Sequence, residues 1–323
     1  MFDEHTFSTN DCSIIASFVV IFIIGVLGNI LVCYVFGKRK SRRRASTNRL
    51  LLYLGIVDLL ASIFNPMMYI YWTATRYREW AFGDIGCSIL PAIGPIMTTA
   101  SAGLLLFIAI DRYRAIVTPF RNRLTLSVIN FGFLAIIVIS IANYVHYMRT
   151  LTVSKTKETK GCIIPDISDH WFSIPNCTLI LMRLVLFTVI FVFTNVAVCR
   201  VLNAQKKDFT AEELCTKRHA QNRKVTKVLV TMGTVFATLV FPRELLHLAF
   251  NLSWIDNTDG MEYGPTIVSI NSWLKLINSA NSCANVFIYA RMHSVYRAHV
   301  LRAMRCAKKL FYEKKEAIPM VHV

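Results

Sequence analysis

Arg183, Arg243, Glu244, His247 and Lys275 are charged or titratable side chains set in stretches that are otherwise apolar. A charge in such surroundings finds a partner or serves a function, because its burial at a bilayer centre costs about 2.5–3.5 kcal/mol on insertion scales. Two chemistries are open to this set. Glu244 can pair with Arg183 or Lys275 and hold helices together, or the surplus positive charge can receive a carboxylate, from a peptide C-terminus or an acidic small molecule. With Asn271 these residues form the candidate ligand-binding group. A second acid, Asp58, stands alone in another apolar stretch. A third, Asp111, adjoins Arg112 and Tyr113 where the uncharged run Cys87–Ile110 ends. The chain has no metal-ligand spacing, glycine-rich phosphate loop or nucleophile–base motif, so an enzyme is not expected. Its eight histidines are scattered, and His293 and His299 are expected to face solvent.

The elements that carry these groups are long apolar blocks. The chain has 323 residues, 54% of them hydrophobic, and a mean hydropathy of +0.47. Seven blocks stand out: Ser13–Gly37, Leu50–Trp72, Ser88–Ile110, Leu126–Met148, Thr178–Leu202, Val225–Leu252 and Thr266–Ala290. Each makes a helix of roughly 35–42 Å at 1.5 Å per residue, enough to cross a hydrocarbon core of about 30 Å. Helices satisfy their own backbone hydrogen bonds in lipid, so the expectation is an all-α membrane protein, a seven-helix bundle. The sixth block, interrupted by Arg243 and Glu244, and the seventh, with several Asn and Ser, are the weakest.

Basic residues orient the bundle. The segments after blocks one, three, five and seven carry 24 Lys and Arg, against 6 on the other side. Such loops stay cytoplasmic, which places the N-terminus outside and the C-terminus inside a multi-pass protein of the plasma membrane. A net charge of +17 could suggest nucleic acid, but the run "KRKSRRR" at 38–44 lies between two apolar spans and is expected to face lipid headgroups. Residues 1–12 read as an extracellular N-terminus, 13–290 as the bundle, and 291–323 as a cytoplasmic amphipathic helix and tail. The first block is too long, and its upstream flank too acidic, for a cleavable signal peptide. No internal repeat pairs the two halves, as secondary transporters often show. An ion-coupled transporter or channel is the rival reading, since Asp58 could bind a permeating ion.

Several motifs carry a resemblance. "GVLGNILV" contains Gly28-Asn29, "LGIVDLLAS" contains Asp58, and "WAFGDIGC" ends at Cys87. Asp111-Arg112-Tyr113 follows that cysteine by 24 residues, Phe236 and Pro242 occupy the sixth block, and "NSCANVFIY" closes the seventh with Asn285 and Tyr289. Together these resemble the rhodopsin-like G-protein-coupled receptors over nearly the whole chain. The chain departs from that pattern in having Val286 for the proline of the seventh-helix motif and Val240 for the sixth-helix tryptophan. It also has no tryptophan in block four, and no proline or tyrosine in block five.

The resemblance implies further assignments. Cys87 and Cys162 would form a disulfide between the third helix and the second outer loop; Cys12 and Cys177 could form a second. Cys33, Cys199 and Cys283 are expected to be small packing residues, and Cys306 a lipidation site on the amphipathic helix. Asp111, Arg112, Tyr113, Asn285, Tyr289, Phe236 and Pro242 would serve activation and coupling to a heterotrimeric G protein, with arrestin as a further partner. In many family members an acid on the sixth helix also holds the arginine; that position here is Asn222, followed by Arg223 and Lys224. No cofactor is required. Asp58, with Asn29, Ser101, Asn281, Ser282 and Asn285, would line a hydrated site for a sodium ion; a water-filled network with Asp58 protonated is the alternative. Gly94 stands where amine receptors carry an aspartate, and Ser279 where opsins carry their lysine, so neither an amine nor a light receptor is expected. Asn176 and Asn251 head glycosylation sequons near membrane ends.

Overall fold

A computed structural model describes residues 8–38, 45–76, 78–118, 124–154, 160–163, 170–205, 213–255, 265–292, 296–302 and 305. Seven long helices account for nearly all of them: α1 Thr9–Gly37, α2 Ala45–Thr75, α3 Gly83–Ile116, α4 Leu126–Thr150, α5 His170–Gln205, α6 Glu213–Ile255 and α7 Pro265–Met292. Each apolar block lies inside one helix, and most helices outrun their block into the polar flanks. Capping explains two of these ends. Ser8 accepts from the Asp11 backbone N–H while the Asp11 carboxylate accepts from the Ser8 N–H, so α1 begins upstream of its apolar run. Thr125 caps α4 by accepting from the Val128 N–H at 3.3 Å.

Helices α1–α6 are long and apolar enough to cross a membrane by length and composition. α7 has comparable length but carries Asn271, Lys275, Asn278, Asn281 and Asn285. It packs against α1, α2 and α6, and Asn278, Asn281 and Asn285 are buried there. α3 is the hub, in contact with α2, α4, α5 and α6. The main apolar core joins Leu50, Leu54, Leu104, Ile108, Met232 and Phe236. Large apolar side chains such as Phe131 and Leu134 on α4 and Val189 and Phe193 on α5 face outward. That inside-out surface is what lipid demands, since apolar exposure there carries no hydration penalty.

Outside the bundle, β1 (Thr152–Val153) and β2 (Cys162–Ile163) pair antiparallel. The Cys87–Cys162 disulfide ties this hairpin to the start of α3, with Cα atoms 5.6 Å apart. Either Cys87→Ser or Cys162→Ser should therefore give the same loss of folded protein, since each removes one bridge worth typically about 2–4 kcal/mol. Mass spectrometry finding both thiols free in the folded protein would reject the bridge.

The second bridge is not formed. Cys12 is a free, exposed thiol and Cys177 a free, buried one. α1 packs on α2 and α7 whereas α5 packs on α3, α4 and α6, so the two thiols belong to opposite sides of the bundle. Of the expected packing cysteines, Cys283 is buried, Cys33 is half-buried and Cys199 is exposed on α5. Both sequons lie within helices, and Asn251 is fully buried with its amide donating to the His247 carbonyl at 2.7 Å. A glycan cannot be attached there in the folded protein.

Beyond α7, residues 296–302 are helical. Tyr296 is buried, donates to the Gly28 carbonyl at 3.2 Å and meets the Tyr289 ring edge-on. His299 is half-buried against Tyr34 instead of facing solvent. His293 and Cys306 lie outside the described residues.

Candidate functional site

The bundle holds a cavity of about 250 Å³ whose walls come from six helices. Arg183, Arg243 and Glu244 line it. Arg183 Nη2 donates to Glu244 Oε2 at 2.7 Å, and Arg243 Nη1 lies 3.4 Å from Glu244 Oε1. One carboxylate on α6 is thus shared by two guanidinium groups. His247, a turn further along α6, sits with Nδ1 at 3.5 Å from Arg243 Nη1. Lys275 places its ammonium over the Tyr69 ring, 5.6 Å from the centroid, and Arg183 lies over Tyr144 at 5.3 Å. Of the candidate set, His247, Lys275 and Asn271 are not among the residues that line the cavity, and Asn271 is half-buried on α7. Tyr69, Tyr144 and Asn278 do line it, and were not anticipated, because a lone aromatic or amide in an apolar block gives no hint of its facing.

Pro242 removes one backbone donor from α6 directly before Arg243 and Glu244. Below it, where the family pattern has tryptophan, Val240 is buried and an aromatic stack takes over. Phe187 stacks on Phe236 at 5.0 Å and on Phe191 at 5.4 Å, and meets Phe241 edge-on. The amine and retinal positions are occupied. A Cβ at Gly94 would overlap the Asn65 carboxamide, so a side chain there would require that carboxamide to move. Ser279 is buried with its hydroxyl donating to the Lys275 carbonyl at 2.9 Å.

Deeper in the bundle, Asp58 is 1% exposed. Its carboxylate accepts from Ser101 Oγ at 2.9 Å and from Asn285 Nδ2 at 2.7 Å. Asn29 donates to the Ser282 carbonyl at 2.9 Å, and the Ser282 hydroxyl donates to Ser279 of its own helix. Asn281 is buried alongside. Ser62, missed in the sequence, donates to the Asp58 carbonyl at 2.7 Å and packs beside Asn29. A buried carboxylate, a hydroxyl and a carboxamide form the oxygen-rich donor set that suits a hard monovalent cation. The Asn29 Oδ1 atom, buried without a partner, is a further oxygen in the same layer.

At the inner end, Arg112 pairs with Asp111 through both Nε and Nη2, the Nε contact measuring 3.0 Å. Arg112 Nη2 also donates to Thr47 Oγ1 on α2 at 2.7 Å, a partner the sequence did not suggest. Tyr113 packs against Phe193 with ring centroids 5.9 Å apart. Tyr289 is buried between Phe36 and Tyr296, its hydroxyl without a hydrogen-bond partner.

Comparison with known proteins agrees with this arrangement. The description "7 transmembrane receptor (rhodopsin family)" matches residues 28–289. The neuropeptide Y receptor type 4 of Mus musculus is 26% identical over 300 residues, 89% of this chain and 77% of its own. The somatostatin receptor type 1 of Rattus norvegicus is 24% identical over 303 residues, covering 90% and 72%. Galanin receptor 2a of Danio rerio is 27% identical over 301 residues, covering 90% and 77%. With seven helices in one bundle, the outer disulfide and the family match across residues 28–289, this chain belongs to the rhodopsin family of seven-transmembrane receptors.

Proposed function

We propose that this receptor binds an extracellular peptide through an anionic group and passes the signal to a heterotrimeric G protein at its cytoplasmic end. The observation that carries this reading is the sharing of Glu244 by Arg183 and Arg243 at the cavity wall. Two guanidinium groups against one carboxylate leave net positive charge in a water-poor site, where an incoming carboxylate gains bidentate, charge-assisted hydrogen bonds. The relatives named for neuropeptide Y, somatostatin and galanin support a peptide over an acidic small molecule. The basic-loop count supports an outer N-terminus over residues 1–12, a bundle over 13–290 and an inner tail over 291–323, in the plasma membrane. Arrestin at the same inner face, and lipid headgroups on the basic loops, complete the proposed partners.

Screening peptides with free and amidated C-termini in cells that report several G-protein pathways tests the reading. The expected hit loses at least tenfold in potency when its carboxylate is removed or when Arg183 is replaced by Gln. Activation only by cationic amines, with no dependence on Arg183, would reject it.

We read the inner polar layer as the seat of a sodium ion held by Asp58 and Ser101, with Asn285 orienting the Asp58 carboxylate by donating Nδ2 to it and Asn281 and Ser282 bounding the site. The ion would supply a positive charge that neutralises Asp58 and ties α2, α3 and α7 together. Raising sodium at constant ionic strength should raise the melting temperature of the ligand-free receptor, and Asp58→Asn should abolish that response. An unchanged sodium dependence in the mutant would sink this assignment and leave the receptor reading intact.

A further inference from the structure

The cavity wall is thin on its α4–α5 side. Ile139 on α4 and Met182 and Leu186 on α5 line it, yet they are 59%, 43% and 49% exposed. Single side chains there separate the cavity from the surroundings. The reason lies in how α4 is held. α4 packs closely on α3, where Gly103 lets Ile136 approach and Gly132 admits Phe107, whereas its contact with α5 is sparse. The residues at this mouth are apolar and belong to the lipid-facing surface. The largely apolar interior behind them carries a charged patch: Arg183, Arg243 and Glu244 line the same cavity.

We propose that the α4–α5 cleft is a lateral portal through which a single-chain anionic amphiphile of the bilayer, of the fatty-acid class, enters and binds. Its carboxylate meets the Arg183 and Arg243 guanidinium groups that line the cavity, and its hydrocarbon chain lies between Ile139, Met182 and Leu186 and runs out into the membrane. The charge and the apolar exit point to one occupant. A neutral lipid brings no anion to the two guanidinium groups that share one carboxylate. A zwitterionic headgroup brings an ammonium towards two guanidinium groups. A second protein chain covers the mouth but places no anion inside. Binding here shares Arg183 with the peptide reading, so the two anions would compete; it differs in that the chain arrives from the bilayer and its site includes a wall that a peptide need not touch.

The test uses the full-length receptor in nanodiscs of phosphatidylcholine and a photo-crosslinkable oleate analogue with the diazirine on its chain. Saturable labelling is expected on α4 near Ile139 and on α5 near Met182 and Leu186, competed by oleate and at least tenfold less well by oleyl alcohol. Ile139→Trp with Leu186→Trp fills the mouth from its exposed side and should cut labelling tenfold or more. Arg183→Gln should do the same by removing the head-group partner. The retained Cys87–Cys162 bridge and an unchanged melting temperature identify folded variants, and Leu186→Phe alone serves if the double variant fails that check. Labelling spread without saturation over the lipid-facing helices overturns the proposal. So does saturable labelling that survives filling of the mouth, or equal competition by oleyl alcohol.

Discussion

Replacing Glu244 by alanine should sharply reduce the amount of folded receptor. The Glu244 side chain is 13% exposed and is the shared anion of Arg183 and Arg243. Its removal leaves two guanidinium groups facing each other's charge across the α5–α6 contact, in a medium that cannot solvate them. Removing one partner of a buried ion pair costs about 3–5 kcal/mol, because the remaining charge is left uncompensated. Against a total stability of about 5–15 kcal/mol, such a loss empties the folded population in cells. Glu244→Gln should fall between wild type and alanine, since the amide keeps an acceptor oxygen for Arg183 and loses only the charge. The pairing also makes a reciprocal claim. Adding Arg183→Met to Glu244→Ala should recover part of the loss, because both members of the pair are then gone. Surface quantity of conformationally intact receptor and its thermal inactivation rate are the measurements. A Glu244→Ala receptor equal to wild type in both would show that the shared carboxylate is not a structural tie.

At the other end of the bundle, Arg112→Ala should abolish G-protein signalling while leaving ligand affinity within a few-fold, since Arg112 stands at the inner end of α3, far from the outer cavity. The larger question is what restrains this arginine in the absence of ligand. The sixth-helix position that is acidic in many relatives of this fold is Asn222, with Arg223 and Lys224 beside it. The restraint therefore comes from α3 and α2: the Asp111 carboxylate, and the Thr47 hydroxyl at 2.7 Å. The Asp111–Arg112 pair is as buried as that of Glu244, at 6% and 18% exposed, but both members stand side by side on α3 and tie it to no second helix. Only the Thr47 bond crosses to a neighbour, and a net hydrogen bond is worth about 0.5–1.5 kcal/mol. Every 1.4 kcal/mol moves a two-state equilibrium tenfold. Measurable ligand-independent signalling is the expected result for the wild type. Thr47→Val should raise it several-fold, and Asn222→Glu should lower it by giving Arg112 an acid on α6. Basal signalling per receptor, at matched surface expression, checks both directions. A silent wild type that neither substitution changes would overturn the weak restraint.

Much of this receptor is legible along the chain. In lipid the backbone satisfies its hydrogen bonds locally, so each apolar block declares a helix without reference to its neighbours. All seven blocks became helices, and the basic residues that separate them set the expected orientation. Asp58 stood out because a lone carboxylate is expensive in hydrocarbon, whereas Asp111, Arg112, Asn285 and Tyr289 were assigned by the resemblance of their motifs to the family pattern.

Partnership was not legible. Glu244 could have turned to Arg183 or to Lys275; the packing of α5 on α6 chose Arg183, 61 residues away. Asp58 meets Asn285 across 227 positions of sequence, and Thr47 meets Arg112 across 65. Cys12 and Cys177 remained apart and Asn251 turned inward for the same reason: helix order and rotation decided it. Helices such as α1 and α5 are apolar nearly all round, so hydrophobic periodicity does not mark which face is interior when the solvent outside is itself apolar. The sequence by itself determined which segments cross and which side chains can do chemistry; the tertiary packing alone decided which of those side chains meet.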